Sequence, residues 1–557
     1  MKYFFYSLVV VLILFIYGLY RERKNYKIIV ANLKNGWGQV ANNEYTSEKL
    51  ETIKAFYNSR KDQVLDIDDI TWDDLDMDDI YMIINNTQSS IGEEYLYAML
   101  RKPCFSNKEL QERNRLMEFF RDNEAERIKL QLKLLDIGKL SSISVFEYLN
   151  SLDNLKAQSN LPHFLMGSGL LFSLALFFYN PSLAATLTIF FIFFNIAQYY
   201  KKKATIEPYL MVCSYLLRLI ENSEKIIKLE SPEIKKYTKQ LEKDVAIFGK
   251  LKRGSFWLVS TKISGSLIDV TLDYIRMFFH VDIIKFNFMI NHVKEHRFVL
   301  NSIFSNIGFL DSCLAGASFR EYLSYYCKPE LVKTDKPMLY VKDLYHPLLS
   351  DPVTNSIDVN KSVLVTGSNA SGKSTFIKTK ALNAILSQTL YTSISREYKA
   401  SFFMIYTSMA LRDSIFRNES YYIVEIKSLK RILDRVNKDI PMLCFIDEVL
   451  RGTNTLERIA ASSRILASLA MSNCLCFAAT HDIELTYILE KYFKNYHFQE
   501  RISNDQILFD YKLYKGRAIS RNAIKLLSIL GYSKKITHDA EKAAHEFMTH
   551  GEWSNIN

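Results

Sequence analysis

Apolar residues are distributed unevenly along this chain. Residues 3–20 form an uncharged apolar run long enough to span a bilayer, flanked by Lys2 and by Arg21-Glu22-Arg23-Lys24. The run stays bulky to its end and lacks the short core and small-residue cleavage site of a secretory signal, so a retained anchor over 1–20 is expected. A second uncharged stretch covers 161–200, is interrupted by Asn180-Pro181-Ser182 and ends at Lys201-Lys202-Lys203. That pattern predicts two short spans joined by a tight turn. Between Ile189 and Phe194 the sequence is apolar on every side of a helix, which favours lipid over a buried hairpin in a soluble core. Basic clusters follow the first and third spans. The positive-inside rule therefore puts the N-terminus outside and everything after Tyr200 in the cytoplasm, as in a multi-pass protein of the inner (plasma) membrane.

Elsewhere the pattern is that of water-facing helices. Residues 48–149 place apolar side chains at three- and four-residue spacing, as around Tyr95, Met99 and Leu100. Residues 204–309 are again helical in pattern and poor in Gly and Pro. After about 330 short β-rich runs alternate with helices, beginning at 338–341 and 362–366, which marks an α/β region. The expected divisions are an anchor at 1–20, a linker at 21–74, a helical region at 75–330 containing the hairpin 161–200, an α/β domain at 331–515 and a helical element at 516–557.

Composition adds limits. The 557 residues carry a net charge of +10, which suits a polyanionic partner (nucleic acid or anionic lipid) as well as a merely solvated surface. Lys235, Lys236, Lys239, Lys243, Lys250, Lys252 and Arg253 are the basic positions of the second helical stretch, open to DNA phosphates, lipid headgroups or solvent alone. Seven cysteines without a C-x-x-C pair argue against a disulfide framework or a thiolate zinc site. Nine aspartates crowd 62–79, yet no frame supplies the glycine and terminal glutamate of a calcium loop; helix caps and a solvated acidic face are expected.

The chemistry concentrates in the α/β region. Gly367-Ser368-Asn369-Ala370-Ser371-Gly372-Lys373-Ser374-Thr375 satisfies G-x-x-x-x-G-K-[ST], follows an apolar strand and opens a helical run. In such a P-loop (Walker A) the backbone N–H groups curl around the phosphates of ATP. Lys373 reaches the β and γ phosphates, and Ser374 offers its hydroxyl to Mg²⁺. The buried-strand pattern 442–446 delivers Asp447 and Glu448, an acidic pair fitting Walker B: Asp447 for Mg²⁺, Glu448 as the base that polarises the attacking water. A third strand, 475–479, ends in Thr480-His481, where an imidazole can sense the γ phosphate. This order predicts a multidomain fold: an α-helical core/lever region with transmembrane helices, then a C-terminal α/β ABC-type P-loop ATPase domain. ATP in such domains is closed by a second subunit. The candidate for reaching the partner's nucleotide is the segment 418–425, with Ser420, and the polar turn 451–455 could cross the same seam. No L-S-G-G-Q of transporters occurs.

At these residues the chain resembles the MutS family of DNA mismatch repair ATPases. The family's E-I-G-R-G-T-S-T run is met by Glu448-Val-Leu-Arg451-Gly-Thr-Asn-Thr455, its S-T-F-x-V-E by Ser420-Tyr-Tyr-Ile-Val-Glu425, and its T-H by Thr480-His481. Upstream, Tyr345-His346-Pro347-Leu348 is similar to R-H-P-V, and the run from Ile91-Gly92 to Pro103 resembles the opening of the core domain. Downstream, Gly531-Tyr532-Ser533 and the following helix resemble the C-terminal dimerisation element. The likeness implies a homodimeric ATPase that binds DNA. Fewer than 80 residues precede the core-like part, so a mismatch-reading domain with its F-x-E wedge is expected to be absent, and mismatch recognition with it. Two other readings stay open: an ABC-type membrane ATPase coupled to transport or membrane remodelling without DNA, and a membrane scaffold with a degenerate nucleotide site.

Overall fold

The computed structural model describes residues 2–557 except 42, 44, 63, 141–142, 152–158, 253–266, 335, 369–370, 410–420, 504–505, 519–522, 530, 552, 554 and 556–557. It forms two compact units, one of Met1–Lys61, Met82–Met99 and Arg113–Tyr322, the other of Asp62–Tyr81, Leu100–Glu112 and Leu323–Asn557.

The described secondary structure of the first unit is helical. Its axis is Arg297–Tyr322, a helix buried along most of its length. Helix Ser90–Arg101 lies against it closely enough that a Cβ on Gly92 would sit 2.1 Å from Asp311 Oδ2, and one on Gly308 2.7 Å from Tyr95 Cβ. Asp311 is fully buried, and it accepts hydrogen bonds from Ser89 Oγ (2.6 Å), Ser89 N (2.9 Å) and Gln88 N (3.0 Å). The span 21–74, expected as a linker, is largely helical. Lys2–Asn35 continues into it, residues 21–35 containing neither Gly nor Pro, and ends before Gly36. Thr46 then caps Ser47–Asn58 by accepting from Lys49 N, and that helix buries Ile53, Phe56 and Tyr57.

Leu161–Ala175 and Pro181–Ile227 form the expected hairpin. At its tip Asn180 caps the second helix by accepting from Leu183 N, and Pro181 occupies the first turn, where its missing N–H costs nothing. The flanks of the hairpin present large apolar side chains outward: Phe178 is 98% exposed, Phe193 70% and Phe172 66%. Leu161–Phe178 and Pro181–Glu207 are long and apolar enough to cross a membrane. Arg297–Tyr322 passes the same test, but 61% of its apolar window is buried, the mark of a core helix. Residues 2–20 are helical; most of their side chains lie outside the described residues. At the base of the hairpin a buried polar network ties it to its neighbours. Asn195 Nδ2 donates to the carbonyls of Phe278 and Met166, and Tyr199 donates to Asp282 at 2.8 Å. Lys235, Lys236, Lys239 and Lys243 line the exposed side of helix Lys235–Ile247; the side chains of Lys250, Lys252 and Arg253 lie outside the described residues.

The second unit holds a six-stranded sheet in the order Tyr514–Lys515, Phe493–His497, Ser362–Thr366, Cys474–Ala479, Met442–Asp447, Met404–Ser408. All neighbours are parallel except the Tyr514–Lys515 edge. Ser362–Thr366, Met442–Asp447 and Cys474–Ala479 are buried at every position, as strands covered on both faces must be. A four-stranded sheet built on Leu339–Leu344 completes the unit.

The acidic stretch departs from expectation. Asp68 does cap a helix, Asp69–Asp74, by accepting from Thr71 N. The face is not simply solvated, however, because several carboxylates reach into the α/β unit. Asp74, buried, accepts from Thr407 Oγ1 (2.6 Å) and Met409 N (3.0 Å). Asp68 pairs with Arg431 (2.6 Å) and Asp76 with Lys378 (2.7 Å). Spacing could not reveal this, since the partners lie more than 300 residues downstream.

Candidate functional site

Three parallel strands end side by side at one edge of the sheet, and each delivers one part of the site. Ser362–Thr366 runs into Gly367, whose φ of +151° turns the chain sharply. Gly372, at +101°, is the N-cap of helix Lys373–Thr389. Glycine tolerates that left-handed backbone without strain, and a Cβ there would press on Tyr511 at 3.1 Å. Asn369 and Ala370 lie outside the described residues. Ser374 and Thr375 are exposed at the first turn of the helix, and both line a cavity of about 740 Å³ together with Ser371, Glu448, Arg451 and His481. His346, Asn355 and Tyr511 also border this cavity; sequence reading noted His346 only as part of the upstream resemblance.

Met442–Asp447 brings Asp447 to the rim and then breaks. Glu448 and Leu450 both have positive φ, +59° and +60°, an uncommon conformation for non-glycine residues that tends to gather at functional sites. Two bonds over-determine it: Glu448 N donates to Ala479 O (3.0 Å), and Leu450 N donates to Glu425 Oε1 (2.5 Å). Glu425 is thus the buried clamp of this turn. Burial raises its pKa, and the backbone donors oppose that rise.

Cys474–Ala479 contributes His481. Its Nε2 lies 3.0 Å from Glu448 Oε1 and 3.4 Å from Lys373 Nζ. One ring nitrogen cannot donate to a carboxylate and accept from an ammonium together, so the shorter contact takes the proton: Nε2–H donates to Glu448. Arg451 Nε holds the other Glu448 oxygen at 2.5 Å. The hydrogen bond from His481 keeps the Glu448 carboxyl below its ordinary range, helped by Arg451 and opposed by burial. Lys373 Nζ folds onto the carbonyls of Gly367 (2.8 Å) and Ser368 (2.7 Å). Burial lowers its pKa, while Asp447 and Glu448 act the other way. The loop is braced from outside by Ser368 Oγ donating to Glu500 (2.8 Å), and the His481 strand end by a two-pronged Arg458–Asp482 pair at 2.9 and 2.6 Å. Glu500 and Arg458 carry no motif signal.

The structure thus brings Lys373, Ser374, Thr375, Asp447, Glu448 and His481 to the strand ends. Ser420 lies outside the described residues, as do 418 and 419; the rest of the segment, 421–425, opens helix Tyr421–Asp434. The turn 451–455 is occupied within the chain: Arg451 holds Glu448, and Asn454 caps the next helix by accepting from Glu457 N (2.9 Å). In the loop and at the end of its neighbouring strand, buried Ser371 Oγ and Asp447 Oδ1 have no protein partner among the described residues. With two glycines turning the loop, a lysine at the helix start and those free acceptors, the residues fit a polyphosphate carrying a divalent cation.

Residues 363–548 match the family MutS domain V. Among curated proteins, MutS protein homolog 4 of Homo sapiens is 30% identical over 288 residues, covering 48% of this chain and 30% of that protein. The DNA mismatch repair protein MutS of Lactobacillus acidophilus is 28% identical over 272 residues (46% and 31%), and that of Thermotoga maritima 27% over 267 (46% and 33%). The chain spans about a third of the length of these relatives. Over the residues that form the cavity, the chain is therefore similar to domain V of the MutS family.

Proposed function

We propose that this protein is a membrane-anchored MutS-type ATPase that acts as a dimer and binds DNA. The observation that carries the ATPase reading is the convergence of Lys373 and Glu448 on His481, whose Nε2 lies 3.4 Å from the first and 3.0 Å from the second, at the mouth of the phosphate loop. The fold class is read as an ABC-type P-loop domain. The loop 367–375 cradles the phosphates of ATP, with Lys373 leaving the Gly367 and Ser368 carbonyls to meet the β and γ oxygens. Ser374 and Asp447 are the residues to hold Mg²⁺, which when bound neutralises charge on the phosphate oxygens. Glu448, ionised, accepts from and orients the attacking water. Its two oxygens are shared between His481 and Arg451, so one of these must swing aside to free an acceptor. His481 then reports the γ phosphate. Ser420, with the segment 418–425, closes the partner's site in the dimer.

DNA is proposed because the relatives are named DNA mismatch repair proteins and because four lysines share the exposed side of helix Lys235–Ile247. The exposed apolar flanks of the hairpin support lipid as a further partner, with the protein in the plasma (inner) membrane and the ATPase unit in the cytoplasm. The same flanks favour a second reading, an ATPase coupled to transport or membrane remodelling without DNA. The two separate by salt-sensitive duplex binding at low ionic strength, which only the first requires.

The test of the ATPase reading is Glu448→Gln. Steady-state turnover should fall by about 10²–10⁴-fold, the usual worth of a general base, while nucleotide affinity stays within a few fold. Unchanged hydrolysis would remove Glu448 from the mechanism.

A further inference from the structure

The nucleotide site leaves a second cluster of ligating side chains unused. Helix Val281–Glu295 ends in His292-Val-Lys-Glu295-His296, and the next helix begins at Arg297. His292 and His296 are four residues apart, so their imidazoles share one helical face; the ring centroids lie 4.6 Å apart at 73°. One ligand atom from each of His292, Glu295 and His296 falls within 4.8 Å of the other two.

The rings are also held from behind. Phe248, fully buried, meets both edge-on at 5.9 and 6.1 Å. His292 Nε2 lies 3.3 Å from the Ile247 carbonyl, and by donating there it leaves Nδ1 as the nitrogen with a lone pair. Metal-ligating histidines are oriented by such a backbone bond on the non-ligating nitrogen. The following cation, Arg297, is drawn off to the Asn150 side chain.

We propose that His292, Glu295 and His296 bind a transition-metal dication of the zinc class, clipping the elbow between helices Val281–Glu295 and Arg297–Tyr322 beside the end of helix Lys235–Ile247. Two imidazoles and one carboxylate are a donor set that Zn²⁺ accepts with water in the fourth position. Imidazole donors also discriminate against Mg²⁺, which takes oxygen. Bonds of about 2.0–2.2 Å would bring the donor atoms to roughly 3.3 Å apart, a closure that side-chain torsions at an open helix end can supply.

The test uses the full-length protein, untagged and stripped with a chelator. Titration with Co²⁺ should give visible d–d bands of nitrogen coordination, one ion per chain, and Zn²⁺ should displace them. His292→Gln and His296→Gln should each weaken Zn²⁺ binding by more than about tenfold, since even an orienting partner is worth 10–100-fold. Asp447→Asn, which removes the nucleotide-site ligand, should leave the bands intact. Zn²⁺ should raise the melting temperature of the parent chain and not of the double histidine variant, a readout that needs only that the variant fold. Bands that persist in the double variant, or that vanish with Asp447→Asn, overturn the assignment, as does absence of binding to the parent.

Discussion

Asp74 offers the sharpest check on how the acidic stretch is anchored. In the structure its Oδ2 accepts from Thr407 Oγ1 and Met409 N in a site that leaves the residue 5% exposed. Asp74→Ala would strand two buried donors, each costing about 1–3 kcal/mol, so a loss of about 2–6 kcal/mol is expected for the unit that contains Met404–Ser408. Thr407→Val removes one donor and should cost about 1–3 kcal/mol by itself. In the double variant the hydroxyl and its acceptor are both gone, so the combined loss should fall short of the sum by about 1–3 kcal/mol. Chemical unfolding followed by a probe in the α/β unit reads all three corners. Effects that add to within about 0.5 kcal/mol would show that the 2.6 Å contact carries no coupling and refute the clamp.

Glu94 is fully buried with Ser144 and Val145 N as its donors, and burial pushes its carboxyl up to about 8. Its folded pKa exceeds the unfolded value, so the stability it allows is complete below about pH 4.5 and is lost as pH rises toward 8. Glu94→Gln should therefore flatten the fall in melting temperature across that window; an unaltered slope would refute it. Gly92→Ala should destabilise by about 1–3 kcal/mol, because the new methyl would meet an Asp311 carboxylate fixed by three donors, and a neutral result would mean that the two helices can part freely. On the proposed membrane placement, aspartate at Phe172 and Phe193, both outward on the hairpin, should abolish membrane retention of a variant lacking residues 1–20 or drive it into aggregates; undiminished retention of that variant would deny them a lipid-facing position.

The site was legible because its chemistry sits at strand ends marked by local pattern. A run such as Met442–Asp447 announces both its burial and the acidic pair that follows. Glu425 was visible as a motif residue, yet its task of clamping Leu450 N was not, since it depends on a turn with positive φ at Glu448 and Leu450. Arg458, Asp482 and Glu500 escaped for a related reason: bracing pairs follow from packing and have no spacing rule. The helical half was harder. Periodicity identified helices, but nothing in 62–79 tells that those aspartates serve the α/β unit, and nothing in 297–322 distinguishes a core helix from a span except the neighbours that cover it.

One helix, Pro181–Ile227, begins at the tip of the apolar hairpin and continues for 47 residues without a break. Its far half is buried around Tyr215, whose hydroxyl accepts from Ile91 N at the start of the Gly92 helix. At 1.5 Å per residue this is a rod of about 70 Å, and a tilt of only about 5° at one end displaces the other by roughly 6 Å. The hairpin and the packing around Ile91 are thus two ends of one continuous helix, in which Pro208, lacking an N–H to donate back to Ala204, is the one interior weak point. On the proposed membrane placement, a force of the bilayer on the hairpin would reach Ile91 through this helix, with Pro208 as the point where the helix can bend.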